Sequence, residues 1–284
     1  MKAQIRNVIL AAAVALGAVA SPAAANPAGN VVVFGDSFAA NPDQYLNTVL
    51  RLTHGSSTSS ARVLDAYPSQ SGCLQGPDNW PSQLRARTGA AVEDWSCAGI
   101  TSAEQLGRID EAIRTGALNR GTRAVTLDAG FNDHWRPLLD APGTRYDAAR
   151  VREQYLSNMR AAAAKVRAVA PGATIVVPGM LSITGGDARL CAINVVPNLP
   201  LGMPAPTING WERHHRDNQR EAAGQIGASF LDVNAKSTGH STCAKDGERW
   251  VAGLIDTTTA NYNMVFHPSR GGSDFVADQV SLAV

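Results

Sequence analysis

The sequence predicts an α/β protein: a three-layer α/β/α sandwich around a five-stranded parallel sheet. Three observations carry that reading. Short apolar segments alternate with longer segments of helical spacing along most of the chain, the pattern of consecutive βαβ units. The first of them, Val31-Val32-Val33-Phe34, is β-branched or aromatic throughout, as befits a strand buried on both faces. Residues suited to chemistry stand directly after several strands, at the carboxyl edge where open α/β sheets bind ligands.

The elements follow in order. Val31–Phe34 is the first strand, and Gly35-Asp36-Ser37-Phe38 stands where it stops. Ser37 is therefore either a nucleophile or a helix cap. Asp43–Leu52 reads as a helix, with Pro42 at its start. Thr53–Ser60 and Pro68–Pro77 read as loops. Trp80–Thr88 is a helix capped by Asn79. Ala91–Trp95 is the second strand. Thr101 or Ser102 caps a short helix that starts near Ala103 and reaches Gln105 or Leu106, and Arg108–Thr115 is a further helix ended by Gly116. Arg123–Leu127 is the third strand and delivers Gly130-Phe131-Asn132-Asp133. Asp147–Val169 has sustained helical spacing, ended by Pro171-Gly172. Thr174–Val177 is the fourth strand. Leu181–Pro206, with its prolines and glycines, is too long for an ordinary connection, so it reads as a lid or substrate wall, or as a stapled surface excursion. Asn209–Ile226 is a helix with Asn209 as cap, Ser229–Val233 the fifth strand, and Gly271–Val284 the closing helix, capped by Ser269.

The 284 residues begin with Lys2 and Arg6, then an apolar run from Val8 to Ala20 and the small residues Ala23-Ala24-Ala25. This is the pattern of a secretory signal peptide over residues 1–25, too short and wrongly flanked for a membrane span. Residues 26–284 then form one domain of ordinary α/β size. The formal charge of +1 becomes −1 without Lys2 and Arg6. A near-neutral surface argues against a nucleic-acid binder or a polybasic membrane anchor. Cys73, Cys97, Cys191 and Cys243 make an even set in an exported chain, which points to two disulfides. Cys73–Cys97 and Cys191–Cys243 are the favoured pairs, because each closes a local loop in one half of the chain. No CxxC spacing or paired histidines supports zinc instead.

Acyl transfer needs a serine oxygen, an imidazole to take its proton, and donors aimed at the developing oxyanion. Ser37 and His267 are the candidate nucleophile and base. The backbone N–H groups of Ser37 and Gly99 and the side-chain amide of Asn132 are candidate donors. The four segments stand in the order of the blocks of the SGNH/GDSL hydrolases, which they resemble. Gly35-Asp36-Ser37-Phe38 is similar to the GDS(L) block, Gly99 to the second-block glycine, Gly130-Phe131-Asn132-Asp133 to the GxND block, and His267 to the last-block histidine. Together they span residues 35 to 267.

The resemblance implies a flavodoxin-like SGNH hydrolase fold and a secreted serine esterase or lipase, closest in kind to the actinobacterial branch. It implies a Ser37–His267 acyl-enzyme mechanism and the oxyanion donors Ser37, Gly99 and Asn132, with no metal or organic cofactor. The substrate class is a small-molecule or lipid ester, with transient contact to a lipid or cell-envelope surface; a monomer is the default. One block departs from the family. Where an Asp usually stands three residues before the histidine, this chain has Met264. The expectation is that the main-chain carbonyl of Met264 accepts the Nδ1–H of His267, with Asp256 a weaker candidate. Asp36 and Asp133 read as structural, and His214-His215 as neighbours on a helix pointing apart. Two other functions share the residues: a cell-envelope acyltransferase, and a binding protein on a degenerate hydrolase scaffold.

Overall fold

The computed structural model describes residues 29–53, 66–141 and 143–284. The expected signal peptide, His54 and most of the Thr53–Ser60 loop lie outside the described residues. Five parallel strands form the central sheet: β1 (Val31–Phe34), β2 (Val92–Asp94), β3 (Ala124–Leu127), β4 (Thr174–Pro178) and β5 (Ser229–Leu231). Their spatial order is 2-1-3-4-5, the flavodoxin-like arrangement whose strand order reverses beside β1. All four pairings are parallel.

Side-chain alternation along β1 explains the layers. Val32 and Phe34 enter one core with residues of the helices Ser102–Arg114, Ala148–Val169 and Pro206–Ile226. Val31 and Val33 enter a second core with Trp80, Leu84, Val276 and Val280 of the helices Trp80–Thr88 and Arg270–Ser281. Every residue of β1 is fully buried, which is why the segment carries no polar position.

Several elements differ from expectation. The Pro68–Pro77 loop contains a short antiparallel pair, Ser69–Gln70 with Cys73–Leu74. Ser102–Arg114 is one helix rather than two; a capping box between Thr101 and Glu104 starts it, and Gln105, Ile109 and Ala112 form its buried stripe. The helix expected from Asn209 starts at Pro206, and the Asn209 amide donates instead to Thr184 Oγ1 (3.0 Å). The Leu181–Pro206 stretch contains an antiparallel pair, Arg189–Asn194 with Leu201–Pro204. Both disulfides form as expected, Cys73–Cys97 and Cys191–Cys243. The second ties that hairpin to the segment following the helix Val233–Lys236.

Candidate active site

β1 ends at Phe34, and Ser37 is the first residue of the short helix Ser37–Ala40. Asp36 is its cap: the Asp36 carboxylate accepts the Phe38 N–H at 3.0 Å. Ser37 is thus not the cap, and its hydroxyl is free to face the sheet edge. Burial pushes the Asp36 carboxyl up to about 6, against the stabilising Phe38 N–H.

β3 delivers the second group. The chain leaves it through Gly130, whose φ of +145° suits glycine alone. A Cβ there would lie 2.4 Å from Tyr155 Cε2. The turn Phe131–His134 then places Asn132, only 3 % exposed, beside Ser37. Its Nδ2 donates one hydrogen to the Ile100 carbonyl at 2.7 Å, which sets the amide plane and leaves the second hydrogen for another acceptor. Asp133 accepts the Ser102 N–H at 2.8 Å, tying this turn to the helix Ser102–Arg114. Burial raises its carboxyl to about 6, with the Ser102 bonds opposing.

His267 arrives from the other end of the chain. Its Nε2 lies 2.7 Å from Ser37 Oγ. Its Nδ1 lies 2.7 Å from a main-chain carbonyl, but that carbonyl belongs to Val265, not Met264. The reason is reach. An aspartate side chain can span three residues back to an imidazole, whereas a carbonyl must start closer. Phe266, with φ +59°, makes the left-handed turn that brings Val265 back onto the ring; an aromatic residue in that region is uncommon and marks a constrained site. Bonds to Ala252 on both sides of Phe266, Phe266 N–H to Ala252 O and Ala252 N–H to His267 O, both 3.1 Å, hold the turn. Asp256 does not touch the ring. It accepts from Gly253 N–H (2.8 Å), Thr259 N–H (2.8 Å) and Thr259 Oγ1 (2.7 Å).

Desolvation pushes His267 down to about 4, and the Val265 carbonyl offsets this in part. The Phe38 ring stands 5.0 Å from the imidazole, centroid to centroid. The imidazole is therefore neutral through most of the acid range, with Val265 selecting the Nδ1–H tautomer and leaving Nε2 as the acceptor facing the serine.

A pocket of about 350 Å³ opens over Ser37, Asn132 and His267. Its walls are apolar, from Phe131, Ile183, Leu190, Ile208 and Trp211. Gly99 faces a second cavity of about 450 Å³, shared with Arg136, Glu104 and Asp140, and Trp135 lines both. Gly99 has φ +80°; its carbonyl accepts from Arg136 Nη1 at 2.8 Å, and the same nitrogen reaches Glu104 at 2.6 Å.

A profile described as the GDSL-like Lipase/Acylhydrolase family matches residues 33–275. The chain belongs to that family. Among its relatives, "Lipase 2" of Streptomyces coelicolor is 28% identical over 289 aligned positions, covering 89% of this chain and 90% of the relative. Two solved structures share the fold. The extracellular lipase of Streptomyces rimosus has a TM-score of 0.58 at 17% identity, covering 90% of this chain and 100% of that one. The phospholipase A1 of Streptomyces albidoflavus NA297 has a TM-score of 0.56 at 20% identity, covering 90% and 98%. This GDSL-like chain is a carboxylic ester hydrolase of the lipase and esterase type.

Ile183 and Leu190 come from the Leu181–Pro206 stretch expected as a substrate wall, whereas Ile208 and Trp211 of this GDSL-like hydrolase's pocket were not singled out from the sequence. Trp211 and Ile208 are three residues apart on one helix face, a spacing that marks them as neighbours but not as pocket-facing. His134 and His215 are buried behind the Asn132 turn, edge to face at 5.7 Å. Burial holds His134 down at about 4; Tyr146 Oη bridges His134 Nδ1 (2.9 Å) and His214 Nδ1 (3.0 Å).

Proposed function

We propose that this chain is an exported ester hydrolase that works through a Ser37–His267 dyad. The observation that carries the reading is the 2.7 Å approach of His267 Nε2 to Ser37 Oγ at the floor of an apolar pocket. Ser37 Oγ attacks the ester carbonyl as Nε2 takes its proton. The oxyanion is met by the Ser37 N–H, the Gly99 N–H and the second hydrogen of Asn132 Nδ2. The imidazolium returns its proton to the departing alcohol. Water, deprotonated by the same nitrogen, then cleaves the acyl-enzyme.

The Val265 carbonyl takes the orienting role of the usual carboxylate. It fixes the tautomer but supplies only a dipole to the imidazolium, where an ionised Asp would supply a full charge. The apolar pocket suits the acyl chain, and the more polar cavity beyond Trp135 suits the alcohol. Export rests on the leader pattern at residues 1–25 and on two disulfides in the mature domain.

The test is hydrolysis of p-nitrophenyl esters of increasing acyl length by wild type and Ser37→Ala. The expected result is a rate that rises with chain length until the pocket is filled, and no turnover by Ser37→Ala. Undiminished turnover by that variant overturns the mechanism. Running the reaction with a sugar alcohol in competition with water separates hydrolysis from acyl transfer.

A further inference from the structure

Arg189–Asn194 is the middle strand of a three-stranded sheet, antiparallel to Leu201–Pro204 and parallel to Ile255–Asp256. The register opposes Leu190 to Met203, and Ile193 to both Leu201 and Ile255. Residues paired across strands share a face. Between Cys191 and Ile193 the register slips by one residue; this bulge keeps Ile193 on the face of Leu201. One face therefore carries Leu190, Met203, Leu201, Ile193 and Ile255. The other carries Cys191 and Gly202, turned toward Cys243.

Leu190 is buried and forms part of the pocket wall over Ser37. The rest of its face stands in water: Ile193 is 38 % exposed, Leu201 53 %, Met203 54 % and Ile255 55 %. Val195, Val196 and Leu199 of the hairpin loop are exposed beside them. Single exposed apolar residues are ordinary on a protein surface, but a contiguous set of this kind marks a contact. Charge adds direction. Arg189, at the start of the hairpin, falls by alternation on the opposite, Cys191 face and lies 4.0 Å from Asp187; no Asp, Glu, Lys or Arg occurs between it and Glu212, so the exposed apolar face carries no charge of its own to attract an anionic surface.

We propose that this face docks the enzyme on an uncharged lipid surface and that the sheet, through Leu190, continues that surface into the acyl pocket. The proposal rests on the esterase reading above. Continuity selects the occupant: the face shares Leu190 with the pocket wall, and a lipid layer is a cover whose own molecules can pass onward to Ser37. Insertion of apolar side chains, rather than charge attraction, then provides the binding.

The test uses the triple variant Ile193→Ser, Leu201→Ser, Ile255→Ser, none of which lines the pocket, with Leu201→Lys alone as a milder second variant. Partitioning is measured by co-sedimentation with phosphatidylcholine vesicles, with and without phosphatidylglycerol, at low and high salt. Wild type is expected to bind the uncharged vesicles, with little gain from phosphatidylglycerol and little loss in salt. The triple variant is expected to lose partitioning by about tenfold or more, and Leu201→Lys by a smaller factor. Both should keep the wild-type rate on a soluble short-chain p-nitrophenyl ester and lose rate on a long-chain ester dispersed in the vesicles. Equal partitioning by wild type and variants, or binding that needs the anionic lipid, overturns the proposal. So does a wild-type dimer in sedimentation velocity that the variants lack, because the face is then covered by a second copy. A wild type inactive on the soluble ester sinks the esterase reading instead, and the vesicle arm distinguishes the two failures.

Discussion

The pH dependence of turnover follows from the depressed imidazole. In the proposed dyad His267 accepts the Ser37 proton only when neutral, and desolvation pushes it from 6.5 down to about 4. An ordinary histidine at pH 5 is about 3 % neutral, whereas one at 4 is about 90 % neutral, a gain of roughly 30-fold in competent base. Protonation removes activity, so kcat/KM should hold as pH falls through 6.5 and be lost only as it falls through about 4. The assay is kcat/KM on p-nitrophenyl butyrate from pH 3.5 to 8, with each time point made alkaline before reading, and circular dichroism to confirm the fold at each pH. Phe38→Ala opens the ring to water by removing its aromatic neighbour at 5.0 Å, and should move the acid limb upward toward 6.5. Asp36, raised by burial to about 6, can add a shallow inflection there; that inflection should vanish in Asp36→Asn while the main limb stays. A wild-type limb between pH 6 and 7 that Asp36→Asn does not remove refutes the argument, as does a Phe38→Ala limb that does not move.

Three further outcomes are expected. Asn132→Ala removes one proposed oxyanion donor and should lower kcat by about 10²–10³ with little change in KM, read from saturation kinetics on a single ester. Replacing both Cys191 and Cys243 by Ser opens a link of 52 residues in sequence and should cost about 4 kcal/mol of stability on the chain-entropy scale, read from urea unfolding. Gly130→Ala forces a side chain against Tyr155 at a φ of +145° and should lower both melting temperature and kcat by displacing the Asn132 turn.

Much of this architecture was legible in the sequence because burial constrains composition. β1 could be placed from Val31–Phe34 because a strand buried on both faces has no room for a polar residue. Ser37, Asn132 and His267 were legible because each follows a strand or precedes a capped helix, so the topology itself brings them to one edge. Val265 was not, since a main-chain carbonyl is present at every residue and only the left-handed turn at Phe266 aims this one at the ring. The single helix Ser102–Arg114 was obscured by Gly107, which interrupts the pattern yet faces open space and so costs only propensity. The Arg189–Asn194 hairpin was hidden by its register slip and by prolines, which break the alternation that identifies a strand. Of the pocket walls, Ile183 and Leu190 lie in the long Leu181–Pro206 connection that its length marked as a substrate wall, whereas Ile208 and Trp211 are apolar helix residues that sequence alone does not distinguish from core.

Covalent trapping tests the central claim most directly. Incubation with a fluorophosphonate, followed by peptide mass spectrometry, should give one adduct per chain, on Ser37, and labelling in His267→Ala should be slower by orders of magnitude. Stoichiometric labelling elsewhere with Ser37 unmodified, or labelling of Ser37 at the same rate in both proteins, would contradict the dyad.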